Sequence, residues 1–269
     1  MTKSAAVYSL KGGVGKTTIA VNLSYCLAAL GGQRTLLWEI DAQGAASFLL
    51  DQEHRTAKAR RVFTRDLDPD DMIEPTRWSG LDLLGADMSL RHIDRTLSEL
   101  GKPKRLRKLL NGLAAQYDRI VLDCPPGLGE LSDQLFRAVD IIVVPVPPTP
   151  LAVRSLDQVR EHIDSAHGGK PILVPVFTMV DRRKRLHRDI VAEHPEWPVI
   201  PHASLIERMA VDRSPVAARH GNSVAALAII DMWQAVERQL ATEDRQAKPR
   251  RDKKVPRIPS KQAPPSRTP

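Results

Sequence analysis

Residues 11–18, with the sequence Lys-Gly-Gly-Val-Gly-Lys-Thr-Thr, constrain the fold more than any other part of the chain. An apolar run typical of a strand, Ala5–Ser9, precedes them, and apolar residues at helical spacing follow from Lys16 onward. Closely spaced glycines let the backbone turn successive N–H groups toward an anion, and the positive end of a helix adds to the attraction. A strand, a glycine-rich loop and a helix in this order predict a phosphate-binding loop rather than a simple helix-capping turn.

The residue types of this loop suit ATP and Mg²⁺. A lysine at position 16 would neutralise the β- and γ-phosphates, and the hydroxyl of Thr17 would ligate the magnesium ion. The strict pattern Gly-x-x-x-x-Gly-Lys-Ser/Thr fails, however, because position 10 is leucine, and this departure comes with a second lysine, Lys11. The predicted ATP-binding residues of the loop are Gly12, Gly13, Val14, Gly15, Lys16, Thr17 and Thr18.

Apolar runs alternate with helical stretches along most of the chain, which is the pattern of a doubly wound, mostly parallel sheet. Aromatic residues make up only 4% of the chain against 42% hydrophobic residues, so the core must consist mainly of small and aliphatic side chains. We therefore predict a single α/β domain. The predicted strands are Ala5–Ser9, Thr35–Ile40, Leu81–Leu84, Arg119–Asp123, Ile141–Pro145, Ile172–Phe177 and a short edge strand at Pro198–Ile200.

Helices are predicted between these strands. The first begins at Lys16, carries apolar residues on one face and ends at Gly31-Gly32. Stretch 51–79 is polar and charged without a steady period, so we predict an irregular excursion there. The other predicted helices are Arg105–Gln116, Asp133–Ala138, Leu151–His167, Arg183–Glu193 and Ser223–Leu240.

Most of the net charge lies at the C-terminal end. Residues 243–269 contain nine Lys and Arg against three acidic residues, and so hold six of the eight net positive charges. The same segment contains six prolines and almost no apolar residues, so it cannot bury enough surface to fold. We predict a folded domain over residues 1–242 and a disordered, basic, proline-rich tail over 243–269.

Composition also excludes several classes of protein. Two cysteines, Cys26 and Cys124, are too few for a disulfide framework or a zinc site. No apolar run approaches the roughly 18 residues that span a bilayer, and the N-terminus enters a strand without a signal peptide. We expect a cytoplasmic protein.

Leu10 and Lys11, in front of an otherwise ordinary phosphate loop, resemble the ParA/MinD family of deviant Walker ATPases. The resemblance implies that Lys11 is the signature lysine, which in this family reaches across a two-fold axis to the phosphates of the partner subunit. ATP would then hold a homodimer together, and hydrolysis would release it. Lys11, Lys16 and Asp41 are accordingly the predicted catalytic residues.

Two acidic strand ends complete the predicted site. The resemblance places Asp41 at the residue that positions the attacking water, and puts Glu39 where the family usually has aspartate. The apolar run that ends at Asp123 is followed by Pro125-Pro126-Gly127, which resembles the Walker B strand and switch II of the family. A buried strand of this kind delivers a carboxylate to the magnesium shell, directly or through a water. We predict Thr17 and Asp123 as the magnesium site.

Further matches indicate the ParA branch. Phe177-Thr-Met-Val-Asp181 resembles the ParA segment after its penultimate strand, and Pro201 resembles a residue beside the adenine. One departure concerns Pro147, Pro148 and Pro150, because ParA proteins usually have a glutamine and an acid in this stretch. Contacts made there, including those to a partner, therefore remain open.

The resemblance implies non-specific DNA binding by the ATP-bound dimer, through contacts with phosphates. It also implies a ParB-like or other ATPase-stimulating partner, an association with the nucleoid, and a cargo that is a chromosome, a plasmid or a protein assembly. The predicted DNA-binding residues are Arg182, Arg183, Lys184, Arg185, Arg188, Arg208 and Arg213.

Two alternatives stay open. An ATP-dependent amide ligase of the same fold could have its substrate site in residues 45–79. A MinD-like membrane-associated positioning ATPase would require a C-terminal amphipathic helix, but this C-terminus is proline-rich and has no apolar face. We therefore expect no membrane partner.

Overall fold

Eight strands form one sheet in the computed structural model, which describes residues 2–52, 58–64, 66–167 and 171–247. The strand order across the sheet is β3-β4-β2-β5-β1-β6-β7-β8. All neighbouring strands are parallel except β3 and β4. The predicted doubly wound α/β fold is confirmed. The strands are β1 Lys3–Val7, β2 Thr35–Glu39, β3 Ile73–Pro75, β4 Leu81–Leu84, β5 Arg119–Asp123, β6 Ile141–Val146, β7 Ile172–Val180 and β8 Val199–Pro201.

Helices cover both faces of this sheet. A π-helical turn, Cys26–Leu30, continues α1, and short 3₁₀ turns lie at Pro69–Met72 and Met88–His92. The α-helices are α1 Lys16–Tyr25, α2 Ala45–Leu49, α3 Ala59–Thr64, α4 Ile93–Leu100, α5 Arg105–Leu113, α6 Glu130–Ala138, α7 Pro150–His167, α8 Arg185–Glu193, α9 Ser204–Glu207, α10 Met209–Asp212, α11 Val216–Arg219 and α12 Val224–Ala247.

Each face of the sheet has its own apolar core. On one face, the buried side chains of the strands pack against α1, α2 and α10–α12, with Ile19, Leu23 and Ile229 at the centre. On the other face they pack against α3–α8, with Leu106 and Leu135 among the buried contacts. Strand residues alternate between these two cores, because successive side chains of a strand point to opposite faces. The result is a three-layer structure whose parallel strands are buried on both sides.

The prediction of an irregular excursion over 51–79 is wrong in part. This stretch contains α3 and the edge strand β3, which pairs antiparallel with β4. Phe63 of α3 is fully buried, and its ring lies 5.6 Å from the ring of Trp38. A helix of six residues is too short to display a helical period in the sequence, and its buried side chains join the same core as Trp38. Residues 53–57 and 65 lie outside the described residues.

The last helix crosses the predicted end of the domain. α12 continues to Ala247, beyond the boundary drawn after residue 242. The rest of the predicted tail, residues 248–269, lies outside the described residues. No helix in the described part of the chain is long and apolar enough to cross a membrane.

Two substitutions in α12 test the packing of this helix on the sheet. Ile229 is 1% exposed and Leu227 is 50% exposed. Ile229→Ala should lower the free energy of unfolding by about 2–5 kcal/mol, because it removes buried methyl groups and leaves a cavity. Leu227→Ala, the control on the same helix, should change it by less than about 0.5 kcal/mol. Urea denaturation measures both, and equal losses would contradict the assigned buried face.

Candidate functional site

The carboxyl ends of three adjacent strands meet at one edge of the sheet. In the register of the sheet, Asp123 at the end of β5 lies opposite Val7 of β1 and opposite Glu39 of β2. The chain leaves β1 into the glycine-rich loop and leaves β2 toward Asp41. Parallel pairing thus brings together the glycine-rich loop, Asp41 and Asp123, at the edge where α/β proteins bind their ligands.

The loop has the backbone geometry that its glycines permit. Gly13 and Gly15 have φ angles of 71° and 94°, a left-handed conformation that favours glycine. Gly15 is the N-cap of α1, so the positive end of this ten-residue helix faces the loop. The hydroxyl of Thr178, on β7, donates to the carbonyl of Val14 at 3.0 Å and holds the loop against the sheet. Sequence analysis missed this role of Thr178, because nothing local in β7 indicates a contact with residue 14.

The two loop lysines make different contacts. Lys16 is buried, and its Nζ donates to the carbonyl of Lys11 at 3.0 Å. Burial lowers the pKa of Lys16, and the negative charges of Asp123 and Asp41 counteract this shift. Lys11 is partly exposed, and its Nζ donates to the carbonyl of Leu151 at the start of α7, at 2.9 Å. Lys16 therefore lies inside its own site, whereas Lys11 extends along the surface.

Asp123 is the least satisfied polar group of the site. It is fully buried, and among the described residues neither carboxylate oxygen has a hydrogen-bond partner. Burial raises the pKa of Asp123 to about 8, and Glu39 and Asp41 add to the rise, while nearby Thr17 and Lys16 lower it. A buried carboxylate without a partner costs free energy, so a ligand that supplies a positive charge would relieve it.

These residues fit a magnesium ion. Mg²⁺ prefers oxygen ligands and is usually bound through one or two protein groups together with phosphates and water. The hydroxyl of Thr17 and the unpartnered carboxylate of Asp123 are such groups. Within the described ranges no group of three or more His, Cys, Asp and Glu side chains could hold a metal ion by itself. A magnesium ion here would therefore require phosphate and water oxygens as further ligands.

Glu39 and Asp41 are close in sequence but differ in environment. Asp41 is partly exposed in the loop between β2 and α2, and its Oδ1 accepts from the backbone N–H of Gln43 at 3.1 Å. Glu39 is fully buried. Its carboxylate accepts from the N–H of Ala46 at 2.5 Å, from the hydroxyl of Ser47 at 2.5 Å and from the N–H of Ala86 at 3.2 Å. Burial raises the pKa of Glu39, and these hydrogen bonds counteract the rise. Glu39 thus holds the start of α2 and the segment that follows β4.

A cleft of about 130 Å³ lies beside the loop and includes the predicted residue Pro201. Gly15, Thr18 and Met179 also line it. Met179 has a φ angle of 56°, which is uncommon for a residue with a side chain and could not be foreseen from the sequence. A larger cavity of about 480 Å³ lies between residues 66–71 and α5, and no residue of the glycine-rich loop lines it.

The predicted DNA-binding residues come from both layers of helices. All five basic residues over 182–188 are exposed. Arg183 is ion-paired to Asp181 at 2.9 Å and holds the pKa of that carboxyl well below its usual range. Arg208 and Arg213 pair with Asp212 and Asp51.

The two groups attach to opposite faces of the sheet. α8, which follows the 182–184 segment, buries Ile190 in one core, and α10, which follows Arg208, buries Met209 in the other.

Comparisons with known proteins identify the family of this chain. Residues 2–170 match the family model described as an AAA domain. The chain is 34% identical over 203 residues to the sporulation initiation inhibitor protein Soj of Bacillus subtilis. The matched region covers 72% of this chain and 79% of Soj. It is 35% identical over 196 residues to the chromosome partitioning protein ParA of Myxococcus xanthus, covering 68% of this chain and 67% of that protein.

The chain belongs to the ParA/MinD family. The fold of the ParA/MinD family also appears in a McdA variant from Cyanothece in complex with ATP, with a TM-score of 0.76, 17% identity and coverage of 89% of this chain and 96% of that chain. The cobyrinic acid a,c-diamide synthase of Mycobacterium smegmatis, with ADP and magnesium bound, has a TM-score of 0.73, 26% identity and coverage of 90% and 97%. Nucleotide and Mg²⁺ are thus bound by proteins of this fold.

Protonation of Asp123 should make the free energy of unfolding of the ligand-free protein depend on pH. Its pKa is raised to about 8 in the folded state, so the folded protein binds this proton more tightly than the unfolded chain does. Binding of this proton therefore stabilises the folded state fully below about pH 4, and the stabilisation is lost as the pH rises toward 8. Asp123→Asn should therefore stabilise the ligand-free protein at pH 8 by more than about 1 kcal/mol, and by almost nothing at pH 4. Urea denaturation at both pH values measures the difference, and a difference independent of pH would contradict the assignment.

Proposed function

We propose that this protein is an ATP-hydrolysing dimerisation switch, which binds DNA non-specifically in its ATP state and positions or segregates a cargo. The observation that carries the proposal is the division between the two loop lysines. Lys16 is buried within its own site, whereas Lys11 is partly exposed and contacts Leu151 at the surface. A lysine in that place is available to the phosphates of a second subunit, where a desolvated charge pair is strong.

The reaction is ATP plus water giving ADP plus phosphate. Lys16 and the N–H groups of the loop bind and orient the phosphates, so that the γ-phosphate lies near the end of β5. Asp41, at the partly exposed loop after β2, would orient the attacking water. Thr17 and Asp123 would hold Mg²⁺, which neutralises phosphate charge when it is bound. Lys11 of the second subunit would complete the site, so hydrolysis depends on the dimer.

The names of the relatives support the positioning role. ParA of Myxococcus xanthus is a chromosome partitioning protein, and one structural neighbour is a putative plasmid partition protein from Borrelia burgdorferi bound to AMPPNP. A chromosome, a plasmid or a protein assembly could each be the cargo of such a switch. A ParB-like or other ATPase-stimulating partner and an association with the nucleoid belong to the same proposal.

DNA binding would use phosphate contacts rather than base contacts. The exposed basic residues before and within α8 are the first candidates on the folded domain. Of these, Arg183 and Arg185 pair with Asp181 and Asp189, so part of their charge is already compensated. Arg182 and Lys184 have no ion pair of this kind among the described residues, and they are the better probes of the surface.

An amide ligase is the second candidate, because the diamide synthase of Mycobacterium smegmatis is 26% identical to this chain. A ligase should require an acid and an amine donor before it hydrolyses ATP, and should not respond to DNA. A switch should hydrolyse ATP without either substrate. A MinD-like membrane role has less support, since the 20% identity to MinD of Pyrococcus furiosus shows the fold alone.

Because Lys16 and Lys11 have different proposed roles, substituting each of them should impair a different step. Lys16→Ala should weaken ATP binding itself, because this lysine contacts the phosphates of its own subunit. Lys11→Ala should keep ATP affinity within about tenfold yet abolish ATP-dependent dimerisation and hydrolysis. Analytical ultracentrifugation with ATP and with ADP measures the dimer, and phosphate release measures hydrolysis. A Lys11→Ala variant that still dimerises and hydrolyses ATP would refute the role across subunits.

The folded surface and the C-terminal segment should contribute to DNA affinity in different ways. Residues 248–269 hold eight Lys and Arg and one acidic residue, so deleting them should weaken binding in ADP and ATP alike and reduce its salt dependence. Arg182→Glu combined with Lys184→Glu should instead remove the increase that ATP causes, because a dimer doubles the contacts on one face.

A matched control has Lys104→Glu and Arg107→Glu, the same change of charge at two exposed residues at the start of α5. DNA affinity across a salt series in both nucleotide states decides the question. If the control pair removes the ATP-dependent increase as strongly as the pair at 182 and 184, the assignment of the DNA surface is wrong.

A further inference from the structure

A buried tyrosine connects the strand before the phosphate loop with the turn after Asp123. Tyr8 directly follows β1, and its hydroxyl donates to the carbonyl of Gly127 at 2.8 Å. The Tyr8 side chain is 1% exposed, whereas Pro126, Gly127 and Leu128 are exposed. An exposed turn is thus attached to a group in the core, over a separation of 119 residues.

Tyr8 itself is held firmly. Its backbone N–H donates to the carbonyl of Val143 at 3.0 Å, which connects it to β6. Its ring packs edge-on against Phe136 of α6, with ring centroids 5.2 Å apart. Burial raises the pKa of the Tyr8 hydroxyl well above its usual range, so the hydroxyl remains a donor at neutral pH. The position of this oxygen is therefore set by the sheet and by α6.

The turn has few other attachments. From Gly129 onward the chain is fixed, because the hydroxyl of Ser132 accepts from the N–H of Gly129 at 2.8 Å and Asp94 accepts from the N–H of Leu131 at 2.9 Å. Between Asp123 and Gly129, the hydrogen bond from Tyr8 is the only one that reaches residues 125–128 within the described structure. Gly127 has a φ angle of 102°, a left-handed conformation that favours glycine, and its carbonyl faces the Tyr8 hydroxyl.

We propose that Tyr8 is a positioning residue for hydrolysis, whose hydroxyl sets the turn 125–128 relative to the phosphate loop. This inference rests on the proposed ATPase function. The end of β1 carries both the loop and the tether, so one rigid strand end determines where the phosphates and the turn after Asp123 lie. Hydrolysis requires accurate placement of groups on both sides of the γ-phosphate, whereas binding of ATP depends mainly on the loop.

Tyr8→Phe removes the hydroxyl and keeps the ring. Tyr117→Phe is the matched control, because Tyr117 is also buried and its hydroxyl donates to Asp82 at 2.9 Å, outside the glycine-rich loop and the turn. Tyr8→Phe should lower kcat about three- to tenfold, the effect of one lost hydrogen bond, with KM for ATP and affinity for ADP within about twofold. Tyr117→Phe should leave kcat within about twofold of the wild type.

Hydrogen exchange with ADP and Mg²⁺ gives a second readout that does not depend on turnover. The backbone amides of Gly129 and Leu131, which end the turn and donate to Ser132 and Asp94, should exchange about three- to tenfold faster in Tyr8→Phe than in Tyr117→Phe, while amides of the phosphate loop exchange at equal rates. A purely structural loss would instead accelerate exchange across the domain.

Two results would overturn the inference. One is a Tyr8→Phe variant that matches Tyr117→Phe in kcat or in exchange of the turn, and the other is a loss of ADP affinity in parallel with kcat. A wild-type protein that does not hydrolyse ATP would refute the proposed function instead. In that case equal exchange of the turn in both variants would still refute the tether, and faster exchange in Tyr8→Phe would support it.

Discussion

The parallel register of β1, β5 and β2 is the constraint on which the rest of the site depends. It aligns Val7, Asp123 and Glu39 at one edge of the sheet, so three loops leave the sheet side by side. Each strand is buried on both faces by apolar side chains, and a shift of one residue would exchange the two cores. The register is therefore strongly determined by packing. The alignment of the site's loops therefore comes from this packing.

Two buried carboxylates at this edge, Glu39 and Asp123, differ in their hydrogen bonding. Glu39 accepts hydrogen bonds from Ala46, Ser47 and Ala86, so its charge is satisfied within the fold and orders the start of α2. Asp123, its neighbour in the register, has no hydrogen-bond partner among the described residues. The first carboxylate stabilises the scaffold, while the second keeps a binding capacity that the fold does not use.

The ends of the same strands also connect the site to the surface. Lys11 contacts Leu151 of α7, Glu39 holds α2, and Tyr8 holds the turn at Gly127. Each of these contacts attaches a loop of the site to a different part of the molecule. A change of nucleotide that moves one of these loops would therefore also move the part of the molecule attached to it, as an ATP-dependent switch of the proposed kind requires. Arg182 and Lys184 lie beyond the end of β7, the strand that also carries Thr178 and Met179.

Local patterns in the sequence were sufficient to predict the phosphate loop, the positions of the main strands along the chain and Asp123 at the end of one of them, because glycine spacing and apolar runs act over a few residues. Stretch 51–79 could not be read in this way, since α3 is short and its Phe63 packs on Trp38, which is distant in the sequence. The same limit applies to the contacts of Thr178 with Val14 and of Tyr8 with Gly127, which join residues 164 and 119 positions apart. It applies also to the basic residues, which the sequence grouped by charge and whose neighbouring helices α8 and α10 pack into different cores. The residues with the necessary chemistry were therefore determined by the sequence alone, and their partners were decided by the tertiary structure, because only packing of the sheet and helices brings distant residues into contact.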